Sequence, residues 1–331
     1  MTSTPRDRAI VQDAYGGPET WRLADVERRD PGRGQARVRV DAAAVDHGTW
    51  HLMTGTPLMA RPAFGVRRPR VPTPGRDLTG VVEAVGPDVT DLAVGDTVVG
   101  MTAGTLAETV VADTTRLVRA PERLSPTQRA ALPISGLTAI QAVEAARVEA
   151  GQRVLVIGAS GGVGHYLVQL AAHRGAEVTA VCSASKAEAV RSWGAAHVLD
   201  RRSEDPADLP HRFDAVFDLA GGRTLRQRRR LATPRGTIVF IGDNTGGRVT
   251  GGYFRPMGHA LVMLASRQRY VMLASRESGD ILRRLVALVD EGTVTPHVHA
   301  SYPLAEAADA MRLLESGEVV GKVAITMRRE V

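Results

Sequence analysis

The residues Gly158-Ala159-Ser160-Gly161-Gly162-Val163-Gly164 form the stretch whose types and spacing most constrain its chemistry. Ahead of them runs Val154-Leu155-Val156-Ile157, a short apolar run of the kind that makes a buried parallel strand. Behind them Val163, Leu167, Leu170 and Ala171 keep helical spacing, and Gly175 is a stop signal. Strand, glycine turn and helix predict a dinucleotide cradle. Gly161 and Gly164 let the backbone approach a pyrophosphate, and the helix N-terminus offers it unpaired N–H groups. Ala159 stands at the first position of the usual glycine fingerprint, so the order of elements carries the reading rather than the glycines alone. A second polar cluster, Val45-Asp46-His47-Gly48-Thr49-Trp50-His51, closes a half-buried strand and is expected to face a cleft.

The elements that must position these groups follow from periodicity. Residues 9–45 read as short alternating strands with turns at Gly16-Gly17-Pro18 and Pro31-Gly32, the last strand spanning Gln35 to Val45. Residues 57–74 are rich in Pro, Arg and Gly without a period, which predicts a loop. Strands return at Leu78–Val85 and Thr97–Gly100, making the region to Arg119 a compact all-β unit. From Ser125 the period changes. Ala130–Ala146 is helical in part, and strands at 154–157, 177–182, 196–199, 215–219 and 237–241 then alternate with helices. That order predicts a doubly wound parallel sheet. The string Val-Met-Leu-Ala-Ser-Arg occurs twice, at 262–267 and 271–276; the first copy reads as helix and the second as an edge strand. Helices at Ile281–Val289 and Ala305–Leu314 and a strand at Lys322–Thr326 complete the chain.

Composition narrows the function. The 331 residues suffice for about two domains with substantial cores. No apolar run approaches the ~20 residues of a membrane span, and the N-terminus lacks a signal peptide's apolar block. Cys182 is the single cysteine, which excludes an intramolecular disulfide and a cysteine-built zinc site. A cytoplasmic enzyme is expected. The net charge of +6 is almost entirely arginine, since Lys186 and Lys322 are the only lysines, and acidic residues are interspersed with it. The densest run, Arg226–Arg230, is read as a surface helix without the aromatic interleaving that base stacking needs. Neither nucleic acid nor membrane is expected as a partner.

Several motifs together carry a resemblance: Gly80-Val81-Val82-Glu83-Ala84-Val85-Gly86, Val94-Gly95-Asp96, Ala130-Ala131-Leu132-Pro133, Gly136-Leu137-Thr138-Ala139, the 154–164 cradle, and Gly321-Lys322-Val323. Over nearly its whole length the chain resembles the zinc-free medium-chain dehydrogenases/reductases of the quinone oxidoreductase branch. The resemblance implies an α/β protein with a GroES-like β-rich catalytic domain at 1–126 and 296–331. It also implies a Rossmann cofactor domain at 127–295, a cleft at their junction, and a homodimer paired through edge strands.

An NAD site generally places Asp or Glu about 20 residues past the cradle to hold the ribose diol. The corresponding stretch here, Val181-Cys182-Ser183-Ala184-Ser185-Lys186, has no acid. Lys186 and two hydroxyls suit a 2′-phosphate instead, and the resemblance adds Arg201 after the third strand. NADPH is therefore the expected cofactor. Its contacts are expected from Thr138, Ala159, Ser160, Gly161, Gly162, Val163, Ser183, Lys186, Arg201 and Gly242.

The zinc ligands of related alcohol dehydrogenases would fall near Asp46, Arg76 and Ile134; arginine and isoleucine cannot serve, so no metal is expected. Hydride transfer without a Lewis acid suits quinones and α,β-unsaturated carbonyls, whose developing charge spreads along the conjugation and can be met by hydrogen bonds. Asp46, Thr49, His51, Arg76 and Thr138 are the candidate donors, with His51 as proton donor. Relatives usually carry Asn where Asp46 stands and Asp where Thr49 stands. A carboxylate at 46 must be protonated, pair with Arg76, or point away. Residues 57–74 and 246–268 are expected to shape the substrate pocket, Tyr253, Phe254, Met257 and Met263 supplying an apolar wall. The alternatives are an enoyl or alkenal double-bond reductase of a biosynthetic pathway, or an NADPH-binding protein without turnover.

Overall fold

The computed structural model describes residues 5–242, 247–250, 254–263 and 266–327. The chain forms two compact units, Met1–Leu137 with Glu277–Val331, and Thr138–Arg276. Packing ties residues 123–136 to the 277–331 segment within the first unit. A Cβ on Gly136 would sit 2.3 Å from Leu285 Cδ2, and Arg123 Nη1 donates to Val289 O at 2.7 Å.

The first stretch of chain supplies β1 (Arg6–Val11), β2 (Arg22–Glu27), β3 (Gln35–Val45), helix α1 (His47–Thr54) and the short α2 (Arg61–Phe64). It continues with β4 (Asp77–Val85), β5 (Thr97–Met101), β6 (Thr109–Asp113), β7 (Leu117–Arg119), α3 (Pro126–Ala130) and α4 (Pro133–Ala146). Next come β8 (Arg153–Ile157), α5 (Gly164–His173), β9 (Glu177–Cys182), α6 (Ala187–Ser192), β10 (His197–Asp200) and β11 (Phe213–Asp218). They are followed by α7 (Leu225–Leu231), β12 (Ala232–Phe240), α8 (Phe254–Met263) and β13 (Arg269–Met272). The chain closes with α9 (Gly279–Asp290), β14 (Val298–Pro303), α10 (Ala307–Ser316) and β15 (Lys322–Thr326).

In the first unit the described strands make a seven-stranded sheet ordered β14-β15-β3-β4-β5-β7, with β6 also on β3, and a separate β1-β2 pair. Alternation positions β3: Val38 and Val40 are buried while Arg37 and Arg39 reach outward to Glu83. This unit is not all-β. The polar stretch after Val45 is helix α1, started by Asp46 as its N-cap and stopped by Gly55 in the left-handed conformation. Gly and Thr inside so short a helix hide it from a periodicity count. The 57–74 loop likewise contains a 3-10 turn at Leu58–Ala60 and the single turn α2.

In the second unit the sheet is parallel and ordered β10-β9-β8-β11-β12-β13. Strand order reverses between β8 and β11, the switch point at which open α/β sheets bind ligands beyond their carboxyl ends. Val154, Leu155 and Val156 are completely buried, as expected of a strand covered on both faces. The repeated string splits as its surroundings dictate. Val262 and Met263 end α8, whereas Val271 pairs with Val239 of β12 and extends the sheet. The arginine run forms α7, but its middle residue faces inward: Arg228 is 2% exposed and its Nε donates to the buried Asp218 at 2.7 Å. No described helix is long and apolar enough to cross a membrane.

Candidate active site

In the first unit the register of three strands brings the site together. Val323 of β15 pairs with Val45 of β3, and Ala44 of β3 pairs with Asp77 of β4, so Lys322, Asp46 and Asp77 lie side by side across the sheet. Lys322 is 1% exposed, and its Nζ donates to Asp46 Oδ2 at 3.2 Å and to Asp77 Oδ2 at 3.0 Å. Asp77 Oδ1 accepts the N–H of Ile134 at 2.8 Å. Asp46 Oδ1 accepts from Thr49 N at 2.9 Å and Thr49 Oγ1 at 3.1 Å.

Electrostatics follow from this geometry. Burial opposes ionisation of Asp46, but the Lys322 ammonium, the Thr49 N–H and Arg76 outweigh it and hold the carboxyl well below the usual range. Burial pushes Asp77 the other way, with Asp46 beside it reinforcing the rise and Lys322 opposing it. Burial disfavours the charged Lys322, yet the two carboxylates raise its pKa. Of the three possibilities for the carboxylate at 46, pairing with Arg76 does not occur: Arg76 forms its ion pair with Glu277, which also accepts from Arg116 Nη1 at 3.0 Å. Asp46 instead spends both oxygens on Lys322 and Thr49, and Thr49 donates its hydroxyl proton inward.

His51 rides one turn further along α1. Its Nδ1 lies 2.8 Å from Thr56 O, which makes Nδ1 the protonated nitrogen and leaves Nε2 as the other, exchangeable position. Burial lowers its pKa, opposed by Thr56 O and Asp46. The C-terminal end of α1 is fixed by Gln12, whose Nε2 donates to Met53 O at 2.5 Å.

In the second unit β8 delivers the glycine turn. Gly158 has φ +88°, a conformation that demands glycine, and a Cβ on Gly164 would lie 2.2 Å from Gly158 O. Gly161 is different: a Cβ there would meet only Gly158 O, at an unstrained 3.5 Å. Its bareness is therefore not required by the chain's own packing and leaves room for a ligand. The N–H groups of Ser160, Gly162, Val163 and Gly164 make no hydrogen bond among the described residues, and α5 has no side-chain cap. Donors without partners at the start of a helix suit a pyrophosphate.

The parallel pairing of β9 with β10 sets the next group. Arg201 N donates to Cys182 O at 2.8 Å, placing Arg201 beside Ser183, and Lys186 closes the 3-10 turn that follows. Cys182 is buried; burial raises its thiol pKa, and Lys186, Arg191 and Arg201 act against the rise as nearby positive charges. Asp200, the nearby acid, is turned onto its own loop, accepting from Arg202 N and Ser203 Oγ. Thr138 Oγ1 donates to Ser275 Oγ at 3.2 Å within the same unit, and Gly242 follows β12, where a Cβ would lie 3.6 Å from Leu219 O. Of the expected apolar wall, Tyr253 lies outside the described residues, Met263 is buried and Met257 is exposed.

Two residues of the first-unit cluster were missed from sequence, Asp77 and Lys322. Lys322 entered only as part of a motif, although a signal existed: in a chain that uses arginine almost throughout, its two lysines stand apart.

Residues 32–122 match the family model of the alcohol dehydrogenase GroES-like domain, and residues 193–325 match one described as zinc-binding dehydrogenase. The chloroplastic quinone-oxidoreductase QR1 of Triphysaria versicolor is 30% identical over 96% of this chain and 98% of its own length. An NADPH-dependent alkenal/one oxidoreductase of Arabidopsis thaliana is 29% identical, over 98% of this chain and 80% of the relative. The solved quinone oxidoreductase of Coxiella burnetii superposes with a TM-score of 0.86 at 29% identity, covering 98% of this chain and all of that one. Despite the second model's name, zinc does not fit these residues. No three His, Cys, Asp or Glu side chains are placed to hold a metal ion among the described residues, and the carboxylate at 46 is already held by an ammonium.

Proposed function

The chain belongs to the quinone oxidoreductase-like branch of the medium-chain dehydrogenases/reductases, and we propose that it is a zinc-independent, NADPH-dependent reductase of quinones or other conjugated carbonyl compounds. The observation that carries the cofactor half is the end of β9. Ser183 follows β9 there, the positive charges of Lys186 and Arg201 both act on Cys182 at the strand's end, and the nearby carboxylate of Asp200 accepts hydrogen bonds from its own loop. A 2′-phosphate has cations and hydroxyls to bind at such a place.

When bound, NADPH would supply a hydride to an electron-poor carbon of the acceptor. Ala159, Ser160, Gly161, Gly162 and Val163 would hold its pyrophosphate, Gly242 and Thr138 its nicotinamide half, and Ser183, Lys186 and Arg201 its adenosine phosphate. The protein's own contribution to the chemistry is a proton and the exclusion of unwanted charge. His51 in its imidazolium form keeps Nδ1–H on Thr56 O and offers Nε2–H to the developing enolate. Asp46 and Thr49, turned inward, present no bare carboxylate to that enolate. A buried single thiol suits a reducing cytoplasm, and β13, which ends the described sheet, would be the edge for homodimer pairing.

Steady-state oxidation of NADPH and NADH against a panel of quinones and enones tests this reading. Turnover of quinones with NADPH preferred supports it; turnover confined to enones moves the assignment to a double-bond reductase. Tight NADPH binding without turnover on any acceptor would defeat it.

A further inference from the structure

We propose that Lys322 is a positioning residue for the reaction, its buried ammonium setting the place and direction of α1 by gripping Asp46 and Asp77 at once. The claim rests on the function proposed above only where it speaks of turnover. It is carried by the meeting of four chain segments around one Nζ. Lys322 opens β15, Asp46 ends the turn from β3 into α1, and Asp77 opens β4. Thr49 in the first turn of α1 and Ile134 in the first turn of α4 join through the two carboxylates.

The arrangement has a specific demand. Lys322 and Asp77 are each 1% exposed, and burying two carboxylates without a shared cation costs far more than a surface pair. A tetrahedral ammonium, small and with three donors, serves both acids and fits between adjacent strands; a planar guanidinium is wider and forks its donors. In a chain whose positive charges are arginines apart from Lys186, a lysine here agrees with that demand. The N-cap carboxylate is thereby held in one orientation, so that its other oxygen always receives the Thr49 N–H and O–H. His51, two residues further on, takes its direction from that cap at one end and from Thr56 at the other. Trp50 Nε1 donates to Glu315 Oε1 at 2.8 Å on the outer face of the helix, and the Lys322–Asp46 ion pair holds its N-terminal end.

The test is Lys322→Met, which keeps the length and loses the charge, read by amide hydrogen exchange and by steady-state kinetics. We expect amides of residues 49–54 to exchange at least about tenfold faster while those of residues 154–182 are unchanged. With a quinone acceptor, kcat should fall at least about tenfold and the KM for NADPH should move less than about twofold. Unchanged exchange in α1, or unchanged kcat, overturns the proposal, as does an equal loss in both units. Should Lys322→Met not fold, Asp46→Asn takes its place, because asparagine still caps a helix and yet loses the ion pair. It should loosen the same amides and lower kcat without raising the KM for NADPH, and wild-type behaviour in it overturns the proposal. A wild-type enzyme inactive on every acceptor would remove the functional reading, and the exchange data would still decide whether Lys322 fixes the helix.

Discussion

Removing the cations beyond β9 should change which nicotinamide nucleotide the enzyme prefers. Lys186→Ala deletes an ammonium one short turn past Ser183, and Arg201→Ala deletes a guanidinium whose backbone is bonded to Cys182 O at 2.8 Å. A hydrogen bond to a charged group contributes about 1.5–3 kcal/mol. Lys186 is half-buried and Arg201 exposed, so solvent screening keeps each near the lower figure. Since about 1.4 kcal/mol is a factor of ten, each substitution should lower kcat/KM for NADPH roughly tenfold. The double variant should lose somewhat less than a hundredfold, because the two groups would share one phosphate and neighbouring effects do not add. NADH has no phosphate there, so its kcat/KM should move less than about twofold. The assay is initial-rate oxidation of each nucleotide at fixed quinone, at low ionic strength and again in high salt, where the NADPH advantage of the wild type should shrink. Equal losses with both nucleotides would show that these side chains act on folding or on the shared half of the cofactor, and the argument for NADPH would fail.

Three other outcomes follow from the geometry. Gly161→Ala meets nothing closer than 3.5 Å, so it should change stability by less than about 0.5 kcal/mol yet weaken NADPH binding in a fluorescence titration; Gly164→Ala drives a methyl to 2.2 Å from Gly158 O and should lower the Tm as well. Arg228→Met strands the Asp218 carboxylate, 0% exposed, and should cost about 3–5 kcal/mol in the urea transition of the second unit, with Arg228→Met/Asp218→Asn recovering part of it. Because burial lowers the His51 pKa, the imidazolium is the minor form at neutral pH, and kcat on an enone should fall as pH rises through 6 to 8, about tenfold per unit at the upper end; His51→Gln should flatten that limb, and an unchanged profile would remove His51 as the acid. The sign is that of a base-form majority: activity is present below the folded pKa and lost above it.

The cradle could be read directly because its logic is local. A buried apolar run, a glycine at positive φ and a helix follow one another within 22 residues, and the structure places them as β8, Gly158 and α5, whose first eight residues are all buried where the sequence predicts an amphipathic helix. The absence of an acid after β9 was equally visible, since strand length alone fixes where that residue must fall. The polar stretch at 46–51 was legible as a cluster but not as a helix, because its cap is a side chain acting across three residues in a segment of poor helix formers.

Strand pairing decided the rest. Asp46, Asp77 and Lys322 are separated by up to 276 positions and meet only because β15, β3 and β4 are neighbours in one register. The same long-range pairing made a helix end of one Val-Met-Leu-Ala-Ser-Arg copy and an edge strand of the other, and turned Arg228 inward from an otherwise exposed arginine run. Short-range order along the chain therefore determined the strand, glycine turn and helix at 154–175. Which distant groups share a buried charge depended on sheet order, which no local pattern encodes.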